Sequence, residues 1–201
     1  MEVPFDPKPI VLEGHHVRLE PLEHRHAEDL LEAGRDPGIW PYLPRHSYPF
    51  PDLADTHAWI DEALQDMERG DELPFATILR STGRAVGSTR YLTIVRPHRG
   101  LEIGWTWIAK EHQRSAVNTE SKLLLFTHAF EDLGAIRVQL KTDSRNETSQ
   151  RAIERIGAVK EGILRNHYLL RDGYRRASVY YSVIDTEWPT VKARLQAMME
   201  R

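Results

Sequence analysis

The sequence predicts an α/β fold, and three observations predict it. Strand-like and helix-like patterns alternate along the chain in the order β-α-α-β-β-β-α-β-α-β-β-α. Two of the helices fall between strands in the second half, and such crossovers make part of the sheet parallel. The 201 residues are 40 % hydrophobic and 28 % charged, ordinary values for one domain whose core needs no staple.

The elements follow in order. Val17-Arg18-Leu19-Glu20-Pro21-Leu22 alternates like a strand. His24 to Gly34 reads as a helix, with Ala27, Leu30 and Leu31 on one face and Gly34 as its stop. Segment 36–51 contains five prolines, which forbid a regular helix, and its Trp40, Tyr42 and Tyr48 each carry a polar handle. Asp55 to Arg69 reads as a second helix, capped by Asp55 or Thr56 and ended by Gly70. Its apolar stripe is Trp59, Ile60, Ala63, Leu64 and Met67. Three strands follow, Phe75 to Arg80, Ala85 to Val95 and Leu101 to Ala109, separated by glycine-containing turns. Asn118 to Leu133 is a helix apolar on several sides, and so buried. Ile136 to Lys141 is a short strand, and Asn146 to Ile156 a helix with Gly157 as its C-cap. Val159 to Leu170 and Arg176 to Ile184 are strands joined by a turn containing Asp172-Gly173. Residues 187–200 form a last helix, with Pro189 tolerated in its first turn.

Composition excludes several functions. There is no cysteine, hence no disulfide, thiolate metal site, iron–sulfur cluster or cysteine nucleophile. A net charge of −3 argues against direct nucleic-acid binding. The start, Met1-Glu2-Val3-Pro4-Phe5-Asp6-Pro7, is no signal peptide. The densest apolar run, Leu123 to Phe126, is far too short for a membrane span. The expected location is the cytoplasm. His24-x-His26 and His15-His16 lack an evident third ligand, so no metal is expected. No Gly-x-Ser-x-Gly elbow, Walker loop or dinucleotide fingerprint is present.

The most informative junction is Leu101 to Glu120, where a strand runs through a short loop into a helix. Free N–H groups and the positive end of the helix dipole meet there, which suits an anion. Small side chains at Ser115 and Ala116 let a phosphate approach the backbone, and Lys110 and Arg114 add positive charge. An ordinary strand-to-helix turn is the alternative.

At this junction the sequence resembles the GNAT superfamily of acetyl-CoA-dependent N-acetyltransferases. The family's coenzyme loop, Gln/Arg-x-x-Gly-x-Gly/Ala, stands here as Gln113-Arg114-Ser115-Ala116-Val117-Asn118, with both glycines replaced. Glu102-Ile103-Gly104-Trp105 resembles the family's fourth strand. Asn146-x-x-Ser149 with Ile156-Gly157-Ala158-x-x-Glu161-Gly162 resembles the ribosomal-protein N-terminal (Rim-type) branch. Val17-Arg18-Leu19-x-Pro21-Leu22 and Arg175-Arg176-x-x-Val179-Tyr180-Tyr181-Ser182 fit that branch too. The resemblance covers about residues 10–190, so residues 1–201 are expected to be a single N-acetyltransferase domain.

The resemblance implies a mixed, mostly antiparallel sheet of six or seven strands, splayed in the middle. It implies acetyl-CoA as co-substrate. Pantetheine would pair with Trp107, Ile108 and Ala109, and pyrophosphate would sit on the loop from Gln113 through Arg114, Ser115, Ala116, Val117 and Asn118 to Thr119. Asn118 can also cap the helix, and Asn146 is either a pantetheine contact or an N-cap. The acceptor is an amine, a protein N-terminal α-amine in this branch. The alternatives are a small-molecule amine, or a non-catalytic module that binds CoA thioesters. The resemblance leaves room for a homodimer.

Transfer needs a neutral amine, a polarised carbonyl and a protonated leaving thiolate. An α-amine has a pKa of about 8 and lysine about 10.4, so a base is required near neutrality. Glu102 matches the family's carboxylate position and can serve directly or through water; otherwise it is a strand-face glutamate in an ion pair. A backbone N–H within Gly104–Ile108 can polarise the carbonyl. The tyrosine many members use as acid is replaced by Ile153, which leaves Ser149 or Tyr168 as donor. Trp40, Tyr42 and Tyr48 either wall the amine site or seal the core. Without cysteine, transfer is expected to be direct.

Overall fold

The computed structural model describes residues 5–43, 49–170 and 172–200. Its strands are β1 Leu12–Glu13, β2 Val17–Pro21, β3 Glu72–Leu79, β4 Arg84–Val95, β5 Gly100–Ile108, β6 Arg137–Asp143, β7 Val159–Leu169 and β8 Arg175–Ile184. Its α-helices are α1 Ala27–Ala33, α2 Leu53–Glu68, α3 Ala116–Thr127, α4 Glu147–Ile156 and α5 Trp188–Met199. The strands form one sheet in the order β1-β2-β3-β4-β5-β6-β8-β7. Every neighbouring pair is antiparallel except β5 with β6, whose crossover is α3. The strand beyond the expected six or seven is β1, two residues long and too short to show a pattern.

Cap chemistry sets the helix starts and corrects three expectations. Asp52, not Asp55 or Thr56, caps α2, its side chain accepting from the Asp55 N–H at 3.0 Å. Ser115, not Asn118, caps α3, which therefore starts two residues earlier than its apolar pattern suggests. α3 also ends early, because the chain passes into a π turn over His128–Asp132. Gly157 closes α4 in the left-handed conformation expected of it (φ 102°). Gly34 follows α1 at φ −88°, so backbone freedom is not its role. A Cβ there would lie 2.8 Å from the Trp40 ring, so the missing side chain makes room for Trp40.

Two core clusters hold the layers together. Leu125 and Phe126 of α3 join Trp188, Val191 and Leu195 of α5 against Tyr91, Leu101, Ile103 and Val138. Leu30 of α1 and Trp59, Ile60 and Ala63 of α2 join Trp40, Phe50 and Trp107. Fully burying a side chain of this size stabilises by roughly 1.5–3 kcal/mol. Glu120 ties α3 to the β1–β2 turn. Its carboxylate accepts the N–H groups of His15, His16 and Val17, each at 2.7 Å.

The central strands do not stay together. β5 pairs with β6 only at Gly100↔Arg137, Leu101↔Val138 and Glu102↔Gln139. Just beyond, Ser88 of β4 pairs with Trp107 while Arg90 pairs with Gly104, so Thr89 alone faces both Trp105 and Thr106. That is a β-bulge, which bends a strand and re-aims its side chains. Trp105 takes φ 51° to make it, a left-handed conformation uncommon for a residue with a side chain.

Candidate active site

The fork between β5 and β6 opens into a cleft of about 1730 Å³. Its walls include Glu102–Ile108, Leu140–Thr142, the loop before α3 and the first turns of α4. From Ile103 to Ile108 the β6-facing edge of β5 has no strand partner among the described residues. A strand edge of this kind offers backbone donors and acceptors to an extended ligand.

At one end of the cleft lies the loop into α3. Gln113 Nε2 donates to the Ile108 carbonyl at 3.1 Å, which pins the loop back onto β5. Arg114 takes φ 60°, at a cost of roughly 1–2 kcal/mol. The Ser115 hydroxyl donates to the His112 carbonyl at 2.6 Å and accepts from the Val117 N–H at 3.3 Å. Lys110 and Arg114 belong to this loop, Arg155 of α4 reaches it at Thr119, and Arg151 of α4 also lines the cleft. The expected basic loop therefore shares the cleft with two arginines from another element, which sequence spacing alone did not reveal.

Glu102 stands at the fork, 1 % exposed. Its Oε2 accepts from Gln139 Nε2 at 2.8 Å and from Lys141 Nζ at 3.0 Å. Burial works against the Lys141 charge, but the Glu102 carboxylate outweighs it and holds the ammonium above its ordinary pKa. The ion pair and the cleft position coexist, so the two readings of Glu102 do not exclude each other. Oε1 lies over Gly104, where a Cβ would sit 3.0 Å from it.

Tyr42, Trp105, Tyr168 and Arg176 line the same cleft. Lys141 and Arg176 stack on the Tyr168 ring at 5.7 and 5.5 Å. Arg176 is 3 % exposed; one nitrogen donates to the Tyr42 carbonyl at 3.3 Å, while Nε has no hydrogen-bond partner among the described residues. Burial, then the charges of Lys141 and Arg176, push the His167 pKa down. His167 meets Ser178 at 3.0 Å.

The remaining expected residues divide. Ser149 lines the cleft, and so does Asn146, whose Oδ1 accepts from the Ser149 N–H at 3.0 Å and caps α4. Trp107, Ile108 and Asn118 also line it. Ala109 does not: it is fully buried, its N–H donating to the Val86 carbonyl at 2.8 Å. Val117 is packed into the core, and Thr119 accepts from Arg155 at 3.3 Å. Ala116 is the first residue of α3. Trp40 is a correction. It is fully buried, stacked with Phe50 and Trp107 at 4.9 and 5.0 Å, and its indole N–H donates to the Gly34 carbonyl. It seals the core and cannot wall an amine site. Tyr48 lies outside the described residues. The histidines diverge: His24 meets His57 and Asp61, whereas His26 faces Glu20. Among the described residues no group of three or more metal-ligating side chains comes together, and no helix is long and apolar enough to cross a membrane.

Sequence reasoning missed Lys122. It sits on α3, 6 % exposed, and lines the cleft. Its Nζ donates to Thr106 Oγ1 at 2.9 Å, and Thr106 in turn meets Thr89 Oγ1 at 2.8 Å. The only signal was one cation on a helix otherwise read as buried.

A sheet forked beside a helix N-terminus defines a class of protein, and comparison with known proteins identifies it: the chain belongs to the GNAT acetyltransferase family, whose acetyltransferase (GNAT) domain matches residues 16–159. It is similar to the Bacillus subtilis protein named "Putative ribosomal N-acetyltransferase YdaF", 31 % identical over 86 % of this chain and 93 % of that one. A GCN5-related N-acetyltransferase from Brucella melitensis superposes with a TM-score of 0.90 at 30 % identity, over 96 % of this chain and 87 % of that one. Mycobacterium smegmatis RimJ, solved with CoA-disulfide, shares the fold with a TM-score of 0.82 at 19 % identity, over 94 % of this chain and 95 % of that one. The protein is an acyltransferase of the N-acetyltransferase type.

Proposed function

We propose that this protein transfers the acetyl group of acetyl-CoA to a primary amine, and that the amine is a protein N-terminal α-amine. The observation that carries the proposal is the parting of β5 from β6 immediately after Glu102. It leaves an open strand edge, an anion-favouring helix start and a carboxylate around one cleft.

The residues present fit acetyl-CoA. The edge from Ile103 to Ile108 suits the amides of a pantetheine arm, with Trp107 and Ile108 beside it. Gln113, Arg114, Ser115 and the start of α3 at Ala116 suit a pyrophosphate, with Lys110, Arg151 and Arg155 adding charge. Asn118 Oδ1, buried without a hydrogen-bond partner among the described residues, suits a ligand donor. When bound, acetyl-CoA supplies the acetyl group as a thioester. Glu102 accepts the proton of the attacking amine, directly or through water. A β5 backbone N–H polarises the carbonyl. Tyr42 and Tyr168 flank the acceptor, and Asn146 and Ser149 border the coenzyme side. The name of the Bacillus subtilis relative supports a ribosomal-protein N-terminus as the acceptor.

The test is thiol release from acetyl-CoA with N-terminal peptides of ribosomal proteins beside small polyamine and aminoglycoside acceptors. The expected result is peptide-dependent release and an acetylated α-amine; release with small amines alone contradicts the acceptor. Glu102→Gln keeps the shape and an oxygen that can accept from Gln139 and Lys141, while removing the charge that pairs with Lys141. It should lower turnover about 10²-fold and leave acetyl-CoA affinity unchanged. An unchanged rate at pH 7 removes Glu102 as the base.

A further inference from the structure

The Lys122 ammonium has three N–H donors, and among the described residues its hydrogen-bond partner is the neutral Thr106. Among the described residues no carboxylate pairs with it. Two other charged groups that line the cleft are engaged elsewhere: Arg155 of α4 reaches Thr119, and Glu102 is held by Gln139 and Lys141. A buried, unpaired ammonium is destabilising, so its place is not explained by stability. Its position is informative. Thr106 is the first residue past Trp105 in the bulge, on the stretch of β5 that has left β6. Thr106 turns to α3, whereas the next residue, Trp107, turns to Trp59 of α2, with ring centroids 6.1 Å apart. Lys122 therefore reaches the fork from the α3 side. One helical turn earlier Asn118 lines the same cleft, and its buried Oδ1 has no hydrogen-bond partner among the described residues. A cation and a neutral acceptor thus stand four residues apart on the α3 wall of the cleft.

We propose that Lys122 meets the sulfur of the coenzyme, its ammonium pairing with the thiolate released on acetyl transfer and protonating it. The inference rests on the acetyl-transfer reading above. In the balanced step the amine nitrogen bonds to the acetyl carbon, and the C–S bond breaks with its electron pair on sulfur. The sulfur takes a proton from Lys122 Nζ, while the amine's proton goes to Glu102 or to water. Lys122 is reprotonated from solvent after release. Burial alone pushes the Lys122 pKa down to about 7. Transfer to a thiolate whose thiol has an ordinary pKa of about 8.5 is thus downhill. Ser149, an alcohol, is a far weaker acid, and Ile153 is apolar.

The test uses CoA itself as the probe and needs no acceptor. The thiol of CoA bound to the full-length protein is titrated by the ultraviolet absorbance of its thiolate. While Lys122 carries its charge the thiol pKa should lie below its ordinary value of about 8.5, with several-fold more thiolate at pH 7 in the wild type than in Lys122→Met. Lys122→Met should abolish the shift, Lys122→Arg should keep most of it, and desulfo-CoA should bind wild type and Lys122→Met alike. The same thiol pKa in wild type and Lys122→Met overturns the proposal. Weaker desulfo-CoA binding by Lys122→Met also overturns it, because Lys122 would then only shape the cleft. A depressed thiol pKa with no turnover on any amine supports the role of Lys122 and overturns the acetyl-transfer reading alone. Failure of the wild type to bind CoA overturns both.

Discussion

Lys122 enters the interior on a helix whose next four residues are Leu123, Leu124, Leu125 and Phe126. Its folded pKa is lowered to about 7 by burial, against about 10.4 in an unfolded chain. Between those values the unfolded state binds the extra proton, so stability rises with pH across that window and is flat below it. Methionine carries no such charge. Lys122→Met should therefore be the more stable protein at pH 6–7, by roughly 3–5 kcal/mol on full linkage. Its advantage should shrink as pH approaches 10. Chemical denaturation of both proteins at several pH values checks this, and a constant difference contradicts it. This residue was illegible in the sequence because a lysine within an apolar run looks the same whether its ammonium snorkels to solvent or stays inside. Glu102 was legible from the family resemblance, but its grip on Lys141 and Gln139 crosses strands 37 and 39 residues apart. Trp40 and Tyr42, two residues apart, ended in different places, one sealed in the core and one on the cleft. Their shared proline-rich composition held nothing to separate them.

At the scale of elements, β5 does the most with the least sequence signal. Its apolar alternation predicts a strand from Leu101 to Ala109, and a strand is present over Gly100–Ile108. Nothing in Gly104-Trp105-Thr106 announces the bulge, which exists only in register with β4. Gly87 belongs to that register. A Cβ there would lie 2.3 Å from the Trp107 carbonyl oxygen and 2.9 Å from the Ile108 Cα, and backbone cannot step aside as a side-chain end can. Gly87→Ala should lower stability by about 2 kcal/mol or more. It should also weaken acetyl-CoA binding, since Trp107 and Ile108 border the cleft. Thermal melting with and without acetyl-CoA measures both, and an unchanged melting temperature contradicts the close packing. The helix starts show the complementary lesson. Cap identity depends on which hydroxyl or carboxylate folds back, so Ser115 and Asp52 displaced the equally plausible Asn118, Asp55 and Thr56. Asn146, with one helix start behind it and no rival nearby, was legible as a cap.

For the whole molecule, the order of elements predicted that part of the sheet is parallel; the parallel junction is β5 with β6, and the candidate site opens there. Short range suffices to read strands and helices. The fork requires two strands separated by α3 to meet over three residue pairs and then diverge, which no local pattern encodes. Its consequence is chemical: Glu102 at the parting and Lys122 from the α3 side both border the cleft, with the cationic loop at its end. The central claim is that the coenzyme lies in this fork. A crystal structure with bound CoA tests it most directly. The account predicts the pyrophosphate against residues 113–118, the pantetheine along the β5 edge from Ile103 to Ile108, and the sulfur in hydrogen-bond reach of Lys122 Nζ. Pyrophosphate bound elsewhere, or a pantetheine arm running outside the gap between β5 and β6, would contradict it.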